Sequence, residues 1–257
     1  QINNSQIMLK HIIEGIKIKK KEKTNDIGIF YRLYGVYYLI KDEFKTAEVL
    51  FKKSIELFLE FQRVGDKNSI SIAANYNYIG EIRNSESDFE TAMELFNKAI
   101  NLCENYEASC LSTFYINAGK TSYLIGNFEN MKKFFLKAEK IIKNFDSYWK
   151  NSVLNAFLAL NAFLEEDNLK VIHYLKCAMS EGKIINNPRD IGMVYFVEAI
   201  IVYSIESKNI EKYEDIKKIL IENSNFYYYK AINYLDSTRD KAEIEYLKNF
   251  LNIKNYK

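Results

Sequence analysis

The chain has 257 residues, with 36 Lys+Arg against 34 Asp+Glu, one proline, nine glycines, three cysteines and 48% apolar residues. So few Gly and Pro exclude an all-β protein built on tight turns, and the apolar fraction excludes a disordered chain. The balance of charge argues against a protein that coats nucleic acid, and the length allows a large core in one or two domains.

Residues 1–24 read as one helix, with apolar positions at Ile2, Met8 or Leu9, Ile12, Ile13 and Ile16. This segment holds six lysines against two glutamates, Glu14 and Glu22. Its lysine run, residues 17–23, suits a solvated helix C-terminus better than a nucleic-acid contact. The helix reads as a cap on the chain beyond residue 24 or as the remnant of a preceding module. Because the chain begins with Gln1, it reads as a fragment or a processed product.

From residue 25 the sequence repeats itself. Relative to Gly35, Tyr31 lies four residues back, Ala47 twelve on, Phe51 sixteen on and Ser54 nineteen on. The same offsets from Gly80 give Tyr76, Ala92, Phe96 and Ala99, and from Gly119 give Tyr115, Met131, Phe135 and Ala138. A weaker fourth copy uses Ala159, Val171, Leu175 and Ala178; a fifth near Ala199 is blurred, and a sixth uses Ala242 and Tyr246 as its second helix. The spacing predicts antiparallel helix pairs in which small residues allow close approach and the aromatic fills the space one turn along. Turn residues fall where such hairpins need them, and Asp42, Asp88 and Asn127 read as N-caps of the second helices. Pro188, the only proline, reads as the start of the fifth unit's first helix.

These repeats resemble the tetratricopeptide repeat, in the long MalT-like form of the bacterial RRNPP peptide-sensing regulators, which include PlcR-like, NprR-like and Rap proteins. The units exceed the usual length of about 34 residues. The resemblance covers residues 27–180 well and 190–250 poorly. It implies an all-α, right-handed superhelix, with residues 1–24 as a cap and 25–257 as the repeat domain of five to six hairpins, the last two degenerate. First helices would line the concave side, presenting residues three before, one after and four after each anchor. That stripe is Arg32, Val36 and Leu39 in the first unit; Asn77, Glu81 and Asn84 in the second; and Ile116, Lys120 and Tyr123 in the third. It continues as Ala156, Leu160 and Phe163, then Phe196, Ile200 and Tyr203.

Eight of these residues form the candidate peptide- or partner-binding set: Asn77, Glu81, Asn84, Lys120, Tyr123, Phe163, Phe196 and Tyr203. Asn offers donor and acceptor to a peptide backbone, Glu81 and Lys120 offer charge, and the aromatics offer apolar walls. The same stripe also reads as solvated polar residues beside core aromatics. No catalytic, cofactor or metal motif is present: Cys103, Cys110 and Cys177 are too widely spaced for a zinc site and read as reduced thiols, and His11 and His173 lack ligands at metal spacing. The expectation is a cytoplasmic, non-enzymatic sensor, part of a transcriptional regulator or signalling protein, that binds a short peptide or partner segment. The alternative is a scaffold for protein–protein assembly without a small ligand. A homodimer is compatible with the sequence. No membrane is expected as a partner, and no direct nucleic-acid contact except through a missing N-terminal module.

Overall fold

The computed structural model describes residues 2–22, 26–60, 68–106, 108–145, 151–208, 211–235, 237 and 239–252. Gln1, Lys23 and Thr24 of the proposed cap fall outside them, as do the connections 61–67 and 146–150. The described residues form an all-α helical-repeat fold with no strand. The helices are α1 (Ile2–Glu22), α2 (Ile27–Ile40), α3 (Phe44–Glu60), α4 (Asn68–Ser85), α5 (Phe89–Cys103), α6 (Leu111–Leu124), α7 (Phe128–Phe145), α8 (Asn151–Leu164), α9 (Asn168–Ile185), α10 (Pro188–Lys208), α11 (Glu214–Lys217), α12 (Ser224–Tyr234) and α13 (Lys241–Phe250). A 3-10 turn, Glu211–Tyr213, precedes α11. The chain divides into two compact units, Gln1–Phe114 and Tyr115–Lys257.

The two helices of a hairpin differ in how much of their circumference is buried. Second helices bury one stripe at helical spacing: Ala47, Phe51, Ser54, Ile55 and Phe58 in α3, and Val171, Leu175, Ala178 and Gly182 in α9. The first helices α4 and α8 are covered on several sides, and in α8 nearly every residue from Ser152 to Phe163 is buried, whereas α2 buries only Ile27, Gly28, Gly35 and Leu39.

The anchor offsets have a direct structural cause. A Cβ built on Gly35 would meet the Phe51 ring at 2.6 Å, one on Gly80 would meet Phe96 at 2.7 Å, and one on Gly119 would meet Phe135 at 2.7 Å. The aromatic therefore sits on the glycine itself rather than one turn along. In the fourth copy Ala159 faces the same offset occupied by Leu175, and both are fully buried. A larger anchor with a smaller partner keeps the helix spacing.

The turns repeat as closely as the helices. Asp42, Ser87, Gly126 and Glu166 each lie seven residues after their anchor, and all have left-handed backbone, with φ of 59, 63, 76 and 61°. The next residue's N–H closes on a carbonyl five residues back: Glu43 to Tyr38, Asp88 to Arg83, Asn127 to Ser122 and Asp167 to Ala162, at 2.8–3.0 Å. This is the Schellman closure of the first helix. The residue after the left-handed one caps the second helix: Asp88 accepts from Thr91 N–H, Asn127 from Asn130 N–H and Asp167 from Lys170 N–H. Asp42 is therefore not an N-cap. It occupies the left-handed position, which a short polar side chain tolerates, one residue ahead of the cap position.

In the first unit, Leu39, Ala47, Phe51, Ile55, Phe58, Ile72, Ile79 and Ile82 make a continuous core. Ser54 binds three helices together by donating to the Gly28 carbonyl (2.7 Å) and accepting from Asn75 (3.0 Å). Helix α1 packs on α2, with the Phe30 ring against Gly15.

In the second unit, α10 begins at Pro188, as expected. Asn187 caps it by accepting from the N–H groups of Arg189 and Asp190. Helix α10 pairs with α12, so the fifth hairpin carries the 3-10 turn and α11 as an insertion between its two helices. Of the three consecutive tyrosines on α12, Tyr227 and Tyr228 are buried and Tyr229 is exposed. Beyond α12 the chain turns back through Asp240, a fully buried carboxylate held by Arg189 Nε at 2.7 Å.

Candidate functional site

The predicted stripe has a different environment in each unit. In the first unit it comes from α2 and α4. Asn77 donates to Glu81 Oε1 at 2.9 Å, one turn along α4. Asn77 and Asn84 are buried, whereas Glu81, Arg32 and Val36 remain partly exposed. Arg32 donates to the Ser71 carbonyl at 3.4 Å. Burial pulls the Arg32 guanidinium below its ordinary range and pushes the Tyr78 hydroxyl up, with the Glu81 carboxylate adding to the latter. This face thus carries amides, one carboxylate and one guanidinium beside apolar walls.

In the second unit the stripe comes from α6, α8 and α10, and the chain covers it with its own C-terminal segment. Lys120 Nζ lies 3.1 Å from Glu243 Oε1 of α13, with side chains only 9% and 2% exposed. The Tyr123 ring packs on Tyr246 of α13 with centroids 5.2 Å apart. Burial, together with a hydrogen bond to the Tyr246 hydroxyl, pushes the Tyr123 hydroxyl well above its usual range. Phe196 also meets Tyr246, at 6.2 Å, and Tyr203 meets Phe250 at 5.5 Å. Phe163 is covered from another direction by Tyr213 of the 3-10 turn, at 5.2 Å.

The eight candidates are therefore not presented alike. Asn77, Glu81 and Asn84 stand together on α4, Lys120, Tyr123, Phe196 and Tyr203 face α13, and Phe163 faces the insertion. Sequence reasoning missed Glu243, Tyr246 and Phe250 as partners of the stripe because it paired α13 into a sixth hairpin. In the structure α13 instead packs on α10 and reaches Lys120 and Tyr123 of α6. A usable signal was present: Ala242, Tyr246 and Phe250 recur every four residues with Glu243 beside them, an apolar face carrying one acid. It also passed over Glu198, the only charged residue between Asp190 and Glu206.

The remaining chemistry-bearing groups are scattered. His11 and His173 are exposed, and His173 Nε2 lies 3.9 Å from Cys177 Sγ. Among the described residues no three His, Cys, Asp or Glu side chains converge as a metal site would require. No helix among them is long and apolar enough to cross a membrane.

No family model matches this sequence, and no curated protein matches it. Solved structures do resemble it. BtubC (BKLC) from P. vanneervenii superposes with a TM-score of 0.59 at 11% identity, covering 100% of this chain and 93% of that one. Aspartyl phosphate phosphatase F from Bacillus subtilis gives a TM-score of 0.54 at 19% identity over 91% of this chain. The present chain spans 57% of that phosphatase's length. At these identities the likeness establishes the helical-repeat fold.

Proposed function

We propose that the chain is a non-enzymatic, cytoplasmic binding domain, the sensing part of a bacterial regulator or signalling protein, and that its first-helix stripe takes a short peptide or a partner's segment. The observation that carries this reading is α13. A ten-residue polypeptide segment is held on the stripe by a buried ion pair at Lys120 and by aromatic contacts at Tyr123, Phe196 and Tyr203. The chemistry that receives α13 is the chemistry a peptide ligand would use: one charged anchor and an apolar wall. In the first unit Asn77, Glu81 and Asn84 offer the polar counterpart. The likeness to aspartyl phosphate phosphatase F, a Rap-type protein, supports a peptide-sensing role.

In this reading α13 is a resident occupant of the second unit's stripe. A peptide that binds there competes with α13, and its release is the signal passed on. The test is thermal denaturation of the full chain with peptides of roughly 5–10 residues. A ligand that binds only the folded state at about 100 times its Kd adds roughly 2.7 kcal/mol. The expected result is a rise in Tm that Asn77→Ala or Tyr123→Ala diminishes. A chain that ignores peptides yet retains a full-size protein in pull-down is a scaffold instead.

A further inference from the structure

A cavity of about 270 Å³ lies in the second unit between α9, α10 and α12, lined among others by Met179, Gly182, Val194, Tyr195, Glu198 and Tyr234. It shares no residue with the stripe. Glu198 reaches it from α10 while being only 1% exposed. Neither of its carboxylate oxygens has a hydrogen-bond partner among the described residues. A buried carboxyl group without a hydrogen-bond partner is costly and calls for an explanation. Tyr195 and Tyr234 stack beside it with centroids 5.8 Å apart, and Tyr234 remains 39% exposed, giving the cavity an aromatic, accessible side.

We propose that this cavity is a binding site for a small organic cation, an alkylammonium group, which Glu198 pairs with and Tyr195 and Tyr234 flank. A carboxylate at the bottom and ring faces beside it are the two features that attract such a group. The volume lies near the lower end for small-molecule sites, roughly 300 Å³, so the guest is a few heavy atoms or the end of a longer chain. A hard metal ion fits poorly, because it needs about six oxygen ligands and the walls here are largely apolar.

The titratable groups around Glu198 are Tyr195 on its own helix, Tyr227 and Tyr234 from α12, and Lys183 from α9. Lys183 is exposed, so its ammonium can stay in water at the rim. Burial pushes the Glu198 carboxyl up to about 8, so the empty site is protonated at neutral pH. An entering ammonium group favours the carboxylate, so binding displaces the carboxyl proton to solvent and tightens as pH rises.

The experiment is calorimetric titration of the full chain with n-butylammonium chloride, using n-butanol as the neutral control. The expected result is millimolar binding of the amine, at least tenfold weaker binding of the alcohol, and affinity rising about tenfold from pH 6 to pH 7 as the ionised fraction grows. Glu198→Gln should weaken the amine at least tenfold, whereas Lys183→Met should keep it. Should Glu198→Gln fail to fold, repeating the wild-type titration in two buffers of different ionisation enthalpy should reveal about one proton released per amine bound. Equal binding of butanol, undiminished binding to Glu198→Gln, no proton release, or no heat at 50 mM amine would each overturn the assignment.

Discussion

The stripe in the first unit and the stripe in the second are built on the same repeat but differ in what covers them. On α4 the positions are Asn77, Glu81 and Asn84, and Glu81 still reaches the surface. On α6 and α10 the matching positions hold Lys120, Tyr123 and Phe196, and all three lie under α13. The backbone is the same in kind, down to the left-handed residue seven after Gly35, Gly80, Gly119 and Ala159. The repeat therefore sets where a stripe side chain stands, while the identity of the side chain decides whether α13 packs over it.

The largest effect that separates the two stripes should come from the ion pair. Glu243→Ala leaves Lys120 buried and unpaired, and breaking such a pair typically costs about 3–5 kcal/mol. Replacing both partners with apolar residues of similar volume, Lys120→Met with Glu243→Leu, should recover most of that loss in urea denaturation. If the double variant is no better than the single ones, the pair does not hold α13 in place.

The next effect is pH dependence confined to the second unit. Glu198 sits near 8, above its ordinary 4.5, because it is buried. The folded chain keeps a proton that the unfolded chain gives up. The stabilisation is complete below pH 4.5 and drains away as pH rises through 8, by about 1.4 kcal/mol per unit of pKa difference. Glu198→Gln should flatten this slope, leaving Tm nearly constant between pH 5 and pH 8.5 where the wild type declines.

Gly80→Leu comes third. The Phe96 ring lies 2.7 Å from where a Cβ would stand, so the larger side chain must push α5 away from α4. Overpacking of this kind costs roughly 1–3 kcal/mol. Adding Phe96→Leu should restore part of it, because the fourth hairpin already pairs a larger anchor, Ala159, with Leu175. An additive double variant would break the explanation given for the anchor offsets.

The smallest effect should be on α4. Asn77→Ala removes its hydrogen bond to Glu81 and is expected to cost about 1 kcal/mol in denaturant midpoint. A loss several times larger would make Asn77 a structural residue of the first unit rather than a ligand contact.

Much of the fold was legible because it depends on local periodicity. Gly35, Gly80 and Gly119 each face the aromatic sixteen residues on, since the sequence must leave out a Cβ where a ring lies. The caps were legible except at Asp42, where a left-handed residue and an N-cap favour the same side-chain types. The path after residue 208 was not. Helix α12 pairs with α10 across an insertion, and α13 folds back onto α10 and α6. Both depend on contacts between residues far apart in sequence, which no helical period encodes. The positions of Lys120 and Tyr123 on the stripe followed from spacing. Their partners Glu243 and Tyr246 did not, because a segment that covers a surface carries the same amphipathic pattern as one that continues the array.

The most direct test of the stripe as a polypeptide-binding surface is hydrogen exchange of the full chain, alone and with heptapeptides selected against it by display. A bound peptide should speed exchange in residues 241–250 as α13 is displaced, or slow exchange in residues 77–84 of α4. Peptides that leave both segments unchanged and protect only the second helices would contradict it.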